Sequence, residues 1–201
     1  MVHLDESCLG NGKPGDNRGG AGGLIEIRSN GNVERRDVYL HSSATTNNRM
    51  ALSGAIAVLQ LLAQKANRLR VLIVSDSEYL IKGIREWAPA WQARDWTRKS
   101  GPIENLELWR TLWHSVSRHE TQFTWVRGHA GHPKNEYAND LAVRAATDQT
   151  TSAGIVRSTF PAWLAERQGR GNFPGYDPDA AFTALEARIA AGETIGLAEG
   201  R

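Results

Sequence analysis

Three short stretches of this chain place oxygen and nitrogen ligands where chemistry could occur. Asp5 closes the segment VHLDES, Asp76 follows the apolar run RVLIV, and RGHAGHPKNEYANDLA carries His129, His132, Asn139 and Asp140. Carboxylates are the hard oxygen donors that Mg²⁺ prefers, and sites in α/β sheets gather at strand ends. Taken singly, either aspartate reads more readily as a turn or capping group, since Asp76 or Ser77 could satisfy the first amides of a following helix. The pair, on two strands that could be neighbours, points to a metal site. The histidines lie three residues apart in a glycine-containing loop. Zinc would need further His or Cys ligands at suitable spacing, and Cys8, the sole cysteine, is far away in sequence. A loop histidine that carries protons fits better, while His132 reads equally as an exposed residue with no role.

The elements that must position these residues follow from pattern. Residues 2–7 are β-compatible. LGNGKPGDNRGGAGG reads as a flexible glycine-rich loop, without the Lys-Ser/Thr of a phosphate-binding loop. Residues 24–28 and 33–41 read as strands joined by an Asn-Gly hairpin turn. Leu52, Ile56, Leu59, Leu62 and Ala66 recur at helical spacing after a polar, cap-rich SSATTNNR. RVLIV at 70–74 has the continuous apolar character of a strand buried on both faces. Residues 79–96 are helical in pattern, with Pro89 breaking or starting a segment. A helix is expected over 106–116, a strand over 122–126, and a last core helix opened by Pro133. This order is mixed α/β. Beyond about residue 147 the composition turns linker-like, and only 180–191 has a helical stripe, formed by Phe182, Leu185 and Ile189.

A chain of 201 residues, 40% hydrophobic and 23% charged, suits one ordinary domain with an appendage. A net charge of +2 means that nucleic-acid binding would need local basic clusters. A single cysteine excludes an internal disulfide and fits a reducing compartment. No apolar run approaches membrane-spanning length, and the first residues lack a signal-peptide pattern. A cytoplasmic monomer with no membrane partner is the expectation.

Four stretches together resemble type 1 ribonuclease H: DESCLGN (5–11), TTNNRMALSGAI (45–56), VSDSEYLIKGI (74–84) and TWVRGHAGHPKNEYANDLA (124–142). WAPAWQARDW followed by NLELW is similar to the family's substrate-gripping helical protrusion. The resemblance covers residues 1–147 and leaves 148–201 as a C-terminal extension, partly helical or irregular. It implies a ribonuclease H-like fold with a five-stranded mixed sheet flanked by helices. The implied activity is endonucleolytic cleavage of the RNA strand of RNA–DNA hybrids, leaving 5′-phosphates. In the family four carboxylates hold two Mg²⁺ ions, for which Mn²⁺ is a possible substitute, in a two-metal hydrolysis of the phosphodiester.

Carried over by position, the first and third carboxylates are Asp5 and Asp76, and the loop histidine is His129. The second falls at Ala51 and the fourth at Asn139, both altered. Asn139 retains only a weak neutral oxygen donor. Neighbours offer little rescue by local geometry. Asp140 projects about 100° away from Asn139 on a helix, and Glu6 should face the opposite side of the sheet from Asp5. Glu136, one turn before, could touch the edge of the site. On that count the enzyme is expected to be severely impaired, and a hydrolytically silent hybrid- or duplex-binding module on the same fold is the alternative.

Substrate grip is expected to survive. The resemblance places Asn11, Asn47 and Glu78 at the RNA-strand minor groove and Thr46 and Arg49 at a DNA phosphate. In the protrusion Arg85, Arg94, Arg98 and Lys99 alternate with tryptophans, a pattern suited to phosphates and sugars. Trp87 and Trp96 are the contact candidates, and Trp91, Trp109, Trp113 and Trp125 are assigned to the core.

Overall fold

The computed structural model describes residues 1–10, 17–64, 68–128, 131–191 and 193. Its centre is a mixed sheet of β1 (Val2–Leu9), β2 (Arg18–Ser29), β3 (Asn32–Ser42), β4 (Arg70–Ser75), β5 (Glu120–Trp125) and β6 (Val156–Arg157). The spatial order is β5-β4-β1-β2-β3-β6. β1 runs antiparallel to β2 and parallel to β4; β4 and β5 are also parallel. Helices cover both faces: α1 (Asn47–Ala63), α2 (Glu78–Lys82), α3 (Ala88–Gln92), α4 (Leu106–Ser117), α5 (Pro133–Asp148), α6 (Phe160–Gly169) and α7 (Pro178–Ala190). A π-helical segment, Gly83–Trp87, joins α2 to α3.

Strand alternation divides the core in two. Ile25 on β2 and Val2 and Leu4 on β1 join Leu52, Ile56 and Leu59 of α1 and Trp109 and Leu112 of α4. On the opposite face Leu24 packs with Tyr137 and Leu141 of α5 and with Phe160 and Leu164 of α6. The apolar positions at helical spacing in 52–62 thus face the sheet as their period requires.

The mixed α/β architecture matches the sequence expectation, with three corrections. The sheet has six strands rather than five, because Val156 and Arg157 pair antiparallel with Asp37 and Arg36 at the outer edge of β3. The second half of the glycine-rich stretch is not a loop. Gly19, Gly20, Gly22 and Gly23 lie within β2, because α5 crosses so closely that a Cβ at Gly20 would sit 2.0 Å from the Ala142 carbonyl oxygen, and one at Gly22 would sit 2.2 Å from that of Ala138. Here glycine is a packing requirement rather than a source of flexibility. Third, the extension holds two helices instead of one. α6, unrecognised in the sequence, begins with Phe160 and Pro161 and buries Phe160 and Leu164. No helix among the described residues is long and apolar enough to cross a membrane.

Candidate active site

β1 pairs with β4 only from Val2↔Ile73 to Leu4↔Ser75. Asp5 and Glu6 therefore run past the end of β4, where Asp76 leaves the strand. Trp125 Nε1 donates to the Asp76 carbonyl at 2.9 Å and pins this turn. Gly128, in the β5–α5 connection, passes directly over the Asp76 carboxylate; a Cβ there would meet Oδ2 at 2.1 Å. The glycine in RGH is thus needed to bring that loop over the aspartate.

Asp5 lies opposite Gly22, on the face covered by α5. Its Oδ2 accepts from Asn135 Nδ2 at 2.9 Å and its Oδ1 from the Glu6 amide at 2.7 Å. Burial, then the charges of Asp76 and Glu6, push its carboxyl up to about 8 despite those two hydrogen bonds. Asn135 itself is buried, and its Oδ1 has no hydrogen-bond partner among the described residues.

Glu6 lies opposite Ala21, on the face covered by α1, so the expectation that it turns away from Asp5 holds for the strand itself. It does not hold for the site. Because β4 has already ended, nothing separates the two faces at this level. The Glu6 carboxylate lies in the field of Asp76 and accepts a hydrogen bond from Ser77, and burial followed by the Asp76 charge pushes it up to about 7. Ser77 is the N-cap residue of α2, yet its side chain makes no capping bond. The capping role proposed for that hydroxyl is replaced by service to Glu6. A third carboxylate thus joins Asp5 and Asp76, and sequence reasoning missed it.

Ala51 stands in the first turn of α1, 4% exposed, packed into the α1-side core. Asn139 is four residues after Asn135, hence on the same side of α5, facing the sheet. Asp140 is turned elsewhere: its Oδ2 accepts from Trp163 Nε1 and from the Arg167 guanidinium, both at 2.7 Å. Glu136 is half-buried in the first turn of α5. His129 and Asn11 lie outside the described residues, and His132 is the exposed N-cap of α5.

The donor set suits a hard divalent cation. Asp5, Glu6 and Asp76 offer only oxygen, they repel one another, and two of them are held protonated-leaning until a positive charge arrives. Among the described residues no three His, Cys, Asp or Glu side chains are already drawn into a tight cage.

The predicted substrate contacts flank this centre. The Thr46 hydroxyl caps α1 by accepting from the Arg49 amide at 3.3 Å, and Arg49 donates to Asn105 Oδ1 at 3.2 Å. Asn47 Oδ1 is buried without a partner among the described residues. Glu78 is exposed and paired with Lys82 at 2.7 Å. Past them an open groove of about 550 Å³ is lined by Tyr79, Trp87, Trp91, Arg94, Arg98 and Lys99. Trp87, Trp91 and Trp96 are all partly buried against the core. Trp87 and Trp91 both line the groove while meeting the buried Trp109 edge to face, at 6.5 and 5.8 Å between centroids. Trp96 instead packs edge-on to Trp113 at 6.4 Å.

The fold is a mixed α/β sheet flanked by helices, with acidic side chains gathered where β1 and β4 end. The ribonuclease H family model matches residues 1–147. A ribonuclease H of Methylococcus capsulatus is 40% identical over 155 residues, 77% of this chain and 93% of the relative. Ribonuclease HI of Pseudomonas aeruginosa is 39% identical over 149 residues, 74% of this chain and 93% of the relative. Among solved structures, LC9-RNase H1, described as a type 1 RNase H with the type 2 active-site motif, is 42% identical with a TM-score of 0.80. That match spans 100% of this chain and 95% of the neighbour, so it includes the extension. The chain belongs to the ribonuclease H family of hydrolases, and its type 1 resemblance stands.

Proposed function

We propose that this chain is an active, metal-dependent endonuclease that hydrolyses the RNA strand of RNA–DNA hybrids, with Asp5, Glu6 and Asp76 as its anionic ligands and Asn139 as a neutral fourth oxygen donor. One observation carries this reading: Glu6 lies past the last β1–β4 pair, Leu4↔Ser75, near enough to Asp76 and Ser77 for both to act on its carboxyl. The expectation of severe impairment rested on two surviving carboxylates. With Glu6 the anionic charge is −3, and the position emptied at Ala51 is compensated from the adjacent strand. The type 2 motif attributed to the 42% identical neighbour supports a carboxylate arrangement that departs from the usual type 1 pattern.

When bound, divalent ions would supply Lewis-acid activation of water and charge neutralisation at the departing 3′-oxygen. The chain's own residues do the rest. Asn135 and the Glu6 amide fix the rotamer of Asp5, Ser77 fixes Glu6, and the Asp76 backbone is anchored by Trp125. His129 carries protons at the loop. Thr46, Asn47 and Arg49 at the start of α1, with Glu78, meet the duplex backbone and 2′-hydroxyls. Trp87, Trp91 and Arg94 hold the flanking strand in the groove. A hybrid is read by shape in this way, with little base readout.

The test is cleavage of a labelled RNA–DNA hybrid in Mg²⁺ and in Mn²⁺ by the unaltered chain beside Asp5→Asn and Glu6→Gln. Metal-dependent cutting of the RNA strand that both substitutions abolish supports the reading. Cutting that survives either substitution refutes the assignment of that ligand. A chain that binds hybrid without cutting it is the silent binding module.

A further inference from the structure

α5 works on two sides. Asn135 and Asn139 face the sheet and the acidic centre. The closest contact is backbone on backbone, Ala138 on Gly22 and Ala142 on Gly20, with Tyr137 and Leu141 packed beside it on Leu24. The backbone contact sets the distance of the helix, and the side chains around it set its rotation. Rotation matters here. With side chains an α-helix is about 5–6 Å in radius, so about 10° of turn about its axis moves a side-chain tip by roughly 1 Å.

Lys134, Tyr137 and Asp140, at three-residue intervals on α5, each also reach the chain beyond residue 148, and Lys134 is paired with Glu26 of β2 at 2.7 Å. Lys134 Nζ donates to the Pro178 carbonyl at 3.3 Å. The Tyr137 hydroxyl donates to Asp37 at 2.5 Å and meets the Thr159 hydroxyl at 2.8 Å. Asp140 accepts from Trp163 and Arg167, and Arg167 in turn lies over the Trp163 ring at 5.2 Å. Trp163 also packs on Tyr137 at 5.4 Å and stacks on Phe160. The far end of this layer is held to the sheet by Arg35 to Asp179 and Arg28 to Glu186.

We propose that the extension is a positioning clamp for α5: through Tyr137 and Asp140 it sets the rotation of the helix, and so the reach of Asn135 and Asn139 towards Asp5. Trp163 and Arg167 are positioning residues. They touch neither substrate nor metal, and they act through the amide side chains on the opposite side. This inference rests on the reading of the acidic centre as a metal-dependent site.

The experiment compares the full-length chain with Trp163→Phe/Arg167→Met, which removes both donors to Asp140 and keeps the ring stack, and with Arg167→Lys. Mn²⁺ binding is measured by electron paramagnetic resonance without nucleic acid, beside kcat, KM for the hybrid, and the melting temperature. The clamp predicts that the double variant binds Mn²⁺ about 10-fold more weakly, the low end of what losing an outer partner costs a metal site. It also predicts a matching fall in kcat, an unchanged KM, and recovery of most of the loss in Arg167→Lys. In an Asn139→Ala background the double change should add little. Variants that match the unaltered chain in Mn²⁺ binding and kcat overturn the clamp alone. So does a loss that adds in full to that of Asn139→Ala. If the double variant does not fold, Arg167→Gln at this partly exposed side chain gives the same comparison. An unaltered chain that neither binds Mn²⁺ nor cleaves overturns the reading of the site together with the clamp.

Discussion

The end of β1 and the second turn of α5 pose the same local problem with opposite outcomes. Each offers adjacent polar residues, Asp5–Glu6 and Asn139–Asp140, of which the first member faces the acidic centre. In each the second member is directed away, by the two-residue period of a strand or the 100° step of a helix. Glu6 nevertheless enters the site and Asp140 does not. The strand has outrun its neighbour β4, so the space beyond the sheet edge is common to both faces. The helix is enclosed, and the surface that Asp140 meets already holds Trp163 and Arg167. Local geometry assigns a face; what lies on that face decides the role.

The strongest way to break this comparison is to neutralise the two second members in turn. Glu6→Gln should lower Mg²⁺-dependent cleavage by at least about 100-fold, the upper end of outer-partner effects. Asp140→Asn should lower it by no more than about 10-fold. Single-turnover cleavage of one hybrid by both variants measures the ratio, and equal losses would falsify the distinction. Next in size is relocation. In the unaltered chain Ala51→Glu should bring no gain, since it forces another carboxylate into a buried position beside three others. In the Glu6→Gln background the same change should recover part of the activity, because α1 and Glu6 approach from the same face. Failure to recover any activity would mean that Ala51 does not border the site.

A third contrast uses pH. Asp5 and Glu6 are pushed up to about 8 and about 7, well above carboxylates in an unfolded chain. The folded protein therefore holds protons that the unfolded chain has released. Their contribution to metal-free stability is complete below about pH 4 and is lost as pH rises through about 7 to 8. The metal-free melting temperature should fall across that window, at about 2–4 °C per kcal/mol for a chain of this size. Asp5→Asn should flatten the fall, and Mg²⁺ should reverse it in the unaltered chain. A pH-independent melting temperature would show that the cluster is not strained. The smallest effect is expected at the amide. Asn139→Asp adds one anionic ligand and should lower the Mg²⁺ concentration for half-maximal cleavage by about 10-fold or less, since one further ligand joins three. No change would place Asn139 outside the coordination sphere.

Much of this was legible in the residues. RVLIV is apolar throughout because β4 is covered on both faces, and Asn-Gly at 30–31 turns the β2–β3 hairpin. The site was legible in Asp5 and Asp76 because strand-end carboxylates are sparse and conspicuous. The amide at Asn139 was separable from Asp140 because a helix fixes relative directions. The glycines of β2 were not legible as strand, since their cause is a helix more than a hundred residues later. α6 was hidden because its apolar face is completed by Leu24, Tyr137 and Leu141 rather than by its own periodicity. The packing of Trp96 was not legible because it lies in the turn after α3 at φ 59°, where helical spacing no longer applies.

By itself the sequence determined the family, the strand-end position of Asp5 and Asp76, and the uncharged side chains at Ala51 and Asn139. These follow from residue type and short-range periodicity, which are properties of the chain alone. Only the tertiary structure decided that Glu6 is a third carboxylate and that Asp140 belongs to the extension. Both depend on where a neighbouring element ends or docks, and that is fixed by contacts between residues far apart in the chain.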